Sequence, residues 1–191
     1  MDTKKRMDDS LACAGLIQRL TLELYEMDIQ KTRAVMDQLI SFLTECEPTC
    51  YTKKACISSS TIGQHVRHVL DHIDCLITAH DSLVVDYSKR KRQQLIETRI
   101  DSAIHQARWL ASELHRLPSG CTPVDVTETD ETGITHSQSS IARELEFINS
   151  HSIHHYAMIK LLYQSFGYTL DDHFGVAPST IAYQYSQPIR R

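Results

Sequence analysis

The chain has 191 residues, enough for one domain with at most an appendage. With 41% hydrophobic and 23% charged residues it can bury a core and does not read as a disordered segment. A formal charge of −4 argues against a general field for nucleic acid, and apolar runs of a few residues fall far short of the roughly 20 that span a bilayer, so neither partner is expected. The opening MDTKKRMDDS has no apolar leader, and the six cysteines include no CxxC pair; both point to a cytoplasmic protein with reduced thiols.

From about Asp9 to Glu45 the apolar residues recur at helical spacing: Leu11, Leu16, Ile17, Leu20, Leu24 and Met27, then Val35, Leu39, Ile40 and Leu43. This is one long helix, or two joined near Asp28–Gln30. A loop over Pro48 and Cys50–Ser60 follows. Thr61 with Gln64 three residues on is a capping-box pattern, opening a second helix over about Thr61–Asp81. VVDYSKRKR reads as a connection, and a third helix is predicted from about Lys89 to Leu117, stopping before Pro118 and carrying Leu95, Ile96 and Ile100 among its apolar residues. VDVTET and ITHSQS around an Asp-Glu-Thr-Gly turn predict a short hairpin within Pro123–Ser139. A fourth helix opens near Ser139 or Ser140 and runs to about Phe166, with Gly167 as its stop. In the tail, Phe174 and Val176 need burial, and a short helix is predicted from about Ser179. Four long amphipathic helices with one small hairpin before the last of them describe an all-α fold, a four-helix bundle.

Eleven histidines are more than the core of such a bundle needs, and six of them fall on two helices. The second helix places His65, His68 and His72 at i, i+3 and i+7; the fourth carries His151, His154 and His155. His151 and His155 are an i, i+4 pair, so both rings leave the same helical face. On a helical wheel that face also holds Ile141, Leu145, Ile148, Ile159, Leu162 and Glu144, while His154 lies nearer the edge. On the second helix the apolar arc is Ile62, Val66, Val69, Leu70, Ile73 and Ile77, with Arg67 and Asp74 marking the solvent side. The wheel admits any of His65, His68 and His72 as an inward ring and favours the first and last. A single histidine on an apolar face is ordinarily a hydrogen-bonded core residue. An i, i+4 pair opposite a second His-rich helix points instead to a metal ion, since neutral imidazole is the commonest protein ligand for such ions. Asp71, Asp74 or Glu144 could orient a ring through its other nitrogen. HEXXH is absent, so no glutamate base sits inside the pair, which argues against a zincin-type protease.

The strings SSSTIGQHVRHVLDH, DYSKRKR, RELEFINSHSIHHYAMI and FGVAPST resemble members of the DinB-like superfamily of metalloenzymes, across roughly Thr32 to Tyr183. The resemblance implies a four-helix bundle over residues 32–183, an N-terminal helical extension or start of the first helix over 1–31, and a polar tail over 184–191. It also implies a three-histidine metal site with one ligand from the second helix and an i, i+4 pair from the fourth. The pair matches His151 and His155; the single ligand best matches His68, which is followed by Asp71 in the family's His-x-x-Asp manner. His65 and His72 are then supporting or substitute ligands.

Two functions follow as expectations. The first is a small metal-dependent enzyme. Zinc or nickel on His68, His151 and His155 would activate a water or a low-molecular-weight thiol, for thiol S-transfer or hydrolysis on a small-molecule substrate. The second is a non-catalytic metal-binding or interaction bundle in which the ion is structural or vestigial. Tyr156 reads as packing rather than a gate, the Lys89–Arg92 run and Arg143 as a solvated face, and Cys75 as a small filler. The N-terminal segment is the expected interface if the chain forms a homodimer.

Overall fold

The computed structural model describes residues 2–187, without the side chains of residues 2–15, 17, 18, 21 and 24. The expected apolar positions Leu11, Ile17 and Leu24, the thiol of Cys13 and the last four residues of the tail lie outside what is described. The elements run α1 (Asp2–Glu45), α2 (Pro48–Tyr51), α3 (Ile62–Thr78), β1 (Val84–Asp86), α4 (Gln94–Thr98), α5 (Ile100–Glu113), β2 (Pro123–Asp130), β3 (Gly133–Ser140), α6 (Ile141–Ser165) and α7 (Pro178–Ser186). The protein is predominantly helical with one three-stranded mixed sheet.

α1 is a single uninterrupted helix. Leu16, Leu20 and Met27 stand exposed on it, and among the described side chains Tyr25 is the first half-buried one, its hydroxyl donating to the Leu117 carbonyl at 2.6 Å. From Ile29 onward Val35, Met36, Leu39, Phe42 and Leu43 are buried. α1 lies against α5 and α6, and α3 also lies against α5 and α6. Their shared interior takes Val66, Val69, Leu70 and Ile73 from α3, Ala103, Ala107 and Leu110 from α5, and Leu145, Ile148 and Ile159 from α6. Each buried Leu or Ile contributes about 2 kcal/mol against the unfolded chain. The tail folds back: Phe174 is buried, stacked on Tyr156 and tilted against Phe42. Tyr156 is fully buried and donates to the Val35 carbonyl, so it is packing.

Three expectations are corrected. The fold is not purely α, because VVD pairs in parallel with β2, which pairs antiparallel with β3 in the order β1-β2-β3. Val85 is fully buried and Val124 and Val126 alternate inward with it, but three residues are too short a run for period-two reading. The third helix is shorter than expected at both ends. Arg99 is extended between α4 and α5, and Leu114–Arg116 tighten into a 3-10 turn. Tertiary contacts hold α4 apart: Ile96 is buried, its carbonyl accepts from Tyr51 (2.6 Å), and Glu97 pairs with Arg67 (2.8 Å), while Leu95 is exposed. Asp74, expected toward solvent, is buried under Lys91 at 2.8 Å.

The start of α3 is fixed tightly. Thr61 and Gln64 form the reciprocal capping box, and the Gln64 amide donates to Glu97 at 2.9 Å. At Gly63 the α4 backbone comes so close that an added Cβ would stand 2.0 Å from the Glu97 carbonyl oxygen. These contacts set where His65, His68 and His72 begin to project.

Candidate metal centre

α3 and α6 carry their histidines to one place. One ring nitrogen from each of His68, His151 and His155 lies within 4.8 Å of the others, and all three residues are half-buried. His68 Nε2 and His151 Nε2 are 2.9 Å apart, and the His155 ring centroid is 4.6 Å from each of the other two. Tetrahedral zinc with Zn–N bonds near 2.0–2.1 Å separates its nitrogens by about 3.3 Å. The observed spread brackets that value, so small ring rotations would let all three lone pairs meet one ion.

The other two α3 histidines flank this group. His65 Nδ1 is 2.9 Å from His155 Nδ1. His72 is buried, and its Nδ1 lies 2.8 Å from the His68 carbonyl oxygen. A carbonyl only accepts, so His72 Nδ1 carries the proton. Its Nε2 lone pair then faces Arg90 Nη1 at 3.5 Å. His72 therefore spends both nitrogens outside the three-ring group. His154 is exposed. Aromatic walls complete the setting: Phe147 stacks on His151 with centroids 5.5 Å apart, and Tyr87 stacks on His72 at 5.3 Å.

All five rings are shifted toward the neutral form. Burial is the first cause in each case, and neighbouring rings add to it. His68 and His155 are pushed down to about 3 and His72 to about 4; His65 and His151 are lowered as well. Neutral imidazole is the form that donates a lone pair to a metal, so the donor set fits a divalent ion.

The carboxylates expected to orient these rings have other partners. Glu144 is buried but accepts from Tyr87 (2.7 Å) and Ser139 (2.6 Å). Asp74 pairs with Lys91, and Asp71 lies 3.9 Å from Arg67. Among the described residues none of the three hydrogen-bonds an imidazole. Cys75 points toward the Asp86 carbonyl, and burial raises its thiol to about 11, which suits a filler. Arg90, Tyr87 and Phe147 are the neighbours that sequence reasoning missed. Phe147 had a signal, one turn before His151 on the same helix; Arg90 sat unmarked within a basic run.

No family model matches the chain, and no solved structure matches it. A stretch of 63 residues is 41% identical to FK506-binding protein 5 of Rhizopus delemar; it covers 31% of this chain and 16% of the length of that relative.

Proposed function

We propose that the chain is a DinB-like metalloprotein, a four-helix bundle of α1, α3, α5 and α6 that holds zinc or nickel on His68, His151 and His155 and acts as a small metal-dependent enzyme. The observation that carries this reading is the convergence of one ring nitrogen from each of three half-buried histidines on two facing helices. Three protein ligands leave a coordination position for a small molecule. A bound ion would supply Lewis acidity, lowering the pKa of a water or low-molecular-weight thiol in that position. The chain's own part is to keep the rings unprotonated by burial, to fix their directions from capped and packed helices, and to wall the group with Phe147 and Tyr87.

A second reading has its own support. His65, 2.9 Å from His155, is a candidate fourth donor, and a closed four-histidine shell would make the ion a staple rather than a reagent.

Metal analysis of the purified protein beside His68→Ala and His151→Ala tests the ligand set. One equivalent in wild type, lost from both variants, is expected. A wild type that takes up no zinc or nickel, or variants that retain it, would end the proposal. With cobalt in place, a thiolate-to-cobalt absorption band on adding a small thiol indicates an open position; its absence favours the staple.

A further inference from the structure

α1 outruns the part of the chain that packs on it. Its buried apolar residues begin at Ile29, and before Tyr25 every described side chain is exposed: Leu16, Arg19, Leu20, Leu22 and Glu23. The helix nevertheless runs back to Asp2 without a break. At about 1.5 Å per residue the stretch before Tyr25 is about 35 Å long. Gly15 stands inside it, and a helix with an internal glycine and no packed face is poorly supported in water.

The apolar positions say which side a partner takes. Within the bundle α1 turns Ile29, Thr32, Met36 and Leu39 inward, alternating by three and four residues. Before them a second run, Cys13, Ile17, Leu20, Leu24 and Met27, keeps the same alternation but is offset by two residues. Two residues turn a helix by about 200°, so the second run lies on the opposite side of α1 from the first. Leu20 and Met27 accordingly stand exposed, with Leu16 beside them. That side stays open along the bundle as well, where Lys31 and Ala34 are exposed.

Charge selects the occupant and its direction. The run itself carries no charge, and Glu23 and Asp28 flank it. Against a second copy running antiparallel, Ile17 meets the partner's Leu20 and Cys13 meets the partner's Leu24, and the two-fold axis repeats each layer. Glu23 then lies beside the partner's Leu16, an apolar neighbour. A parallel pair would instead set Glu23 against the partner's Asp28, and an antiparallel pair shifted by one heptad would set Glu23 against the partner's Glu23.

We propose that the free stretch of α1 pairs with the same stretch of a second copy, as an antiparallel two-stranded coil whose two-fold axis passes between Ile17 and Leu20. The pairing stands whether or not the histidines hold a metal.

Sedimentation of the full chain over a concentration series is expected to show a reversible dimer. Leu20 and Leu22 make the test specific, because they are 48% and 57% exposed on different sides of one helix. Leu20→Glu puts a charge into the seam of both copies and should weaken the dimer by about 100-fold or more. Met27→Glu, at a second seam position, should act in the same direction. Leu22→Glu, on the side of the helix that faces the bundle, should leave dissociation within about fivefold of wild type. A monomeric wild type, an assembly larger than a dimer, a dimer that survives both seam variants, or a Leu22→Glu variant as weak as Leu20→Glu overturns the proposal. Mild oxidation with diamide reads the direction. Leu24→Cys should cross-link to the partner's Cys13, and Cys13→Ser added to it should abolish the link. A Cys13-to-Cys13 link in wild type marks a parallel pair and overturns the antiparallel assignment.

Discussion

If the three-histidine group binds zinc, its affinity should fall only about tenfold between about pH 7 and 5. An exposed imidazole titrates near 6.5, so at pH 5 about 97% of it is protonated and must lose that proton before it can ligate. Relative to pH 7 that costs each ring about 25-fold, and three such rings together about 10⁴-fold. Here burial and neighbouring rings hold His68 and His155 at about 3 and lower His151 too. The rings are half-buried, so solvent screening trims these shifts; even so the expected loss over the two pH units stays near tenfold. Isothermal titration with zinc in buffers of different ionisation enthalpy reads both affinity and proton release. The expected release at pH 5 is about one proton or fewer per ion. An affinity loss approaching 10⁴, with nearly three protons released, would show that the rings titrate as exposed groups and refute the reasoning.

The same lowered values predict how the metal-free protein responds to acid. The unfolded chain binds these protons near pH 6.5, whereas the folded chain binds them only near 3–4. Stability is therefore fully present above about 6.5 and falls as pH drops toward 3, by about 1–2 kcal/mol per pH unit for the cluster after allowance for screening. Urea midpoints at several pH values check the slope, and a midpoint that rises on acidification contradicts it. Gly63→Ala forces a Cβ to within 2.0 Å of the Glu97 carbonyl oxygen and should cost about 3 kcal/mol; equal urea midpoints for the two proteins would show that α4 yields freely. Tyr87→Phe leaves the buried Glu144 with Ser139 as its remaining described donor and should cost about 1–2 kcal/mol, measured the same way, with no change expected in zinc stoichiometry.

The legible part of this protein was whatever repeats along a helix. The spacing of His151 and His155, the Thr61/Gln64 box and the stop at Gly167 are local features, and helical periodicity alone places the pair on one face of α6. Choosing among His65, His68 and His72 was a different matter. They span two turns of α3, and the wheel favoured the outer two, whereas the ring that converges with His151 and His155 is the middle one. Its neighbours are drawn aside by groups that no helical wheel contains: the His68 carbonyl and Arg90 engage His72, and His155 Nδ1 engages His65. Arg90 was illegible for the same reason. Which cation of a KRKR run is paired depends on where Asp74 and Asp86 come to lie, and Asp74 itself had been read onto the solvent side. The break at Arg99 and the strand at Val84–Asp86 likewise depend on partners distant in the chain, Tyr51 and Arg67 for the first and β2 for the second. At the other end of the molecule, Leu16, Leu20 and Met27 keep the period of a buried face yet stand exposed, because periodicity reports a face and not its partner.

His65 ties these strands together. If His155 ligates through Nε2, its Nδ1 must carry the proton and donate to His65 Nδ1, 2.9 Å away. His65 must then hold its own proton on Nε2, an atom that is buried with no hydrogen-bond partner. An unsatisfied buried donor costs about 1–3 kcal/mol, so this arrangement weakens the fold unless something else is gained from it. The gain on offer is a fixed tautomer: His65 keeps the lone pair of His155 on the nitrogen that faces the other two rings. His65→Leu separates the two effects. It removes the unsatisfied donor but strands the Nδ1 proton of His155, so the urea midpoint of the metal-free protein should move little. Zinc affinity should fall by about 10–100-fold, as when an outer hydrogen bond to a ligand is cut, with one equivalent still bound at saturation. Were His65 a fourth ligand or a mere packing residue, the cobalt spectrum would tell: a ligand's loss changes the absorption of the ion itself, a packing residue's loss changes neither spectrum nor affinity, and either outcome would remove the positioning role assigned to it.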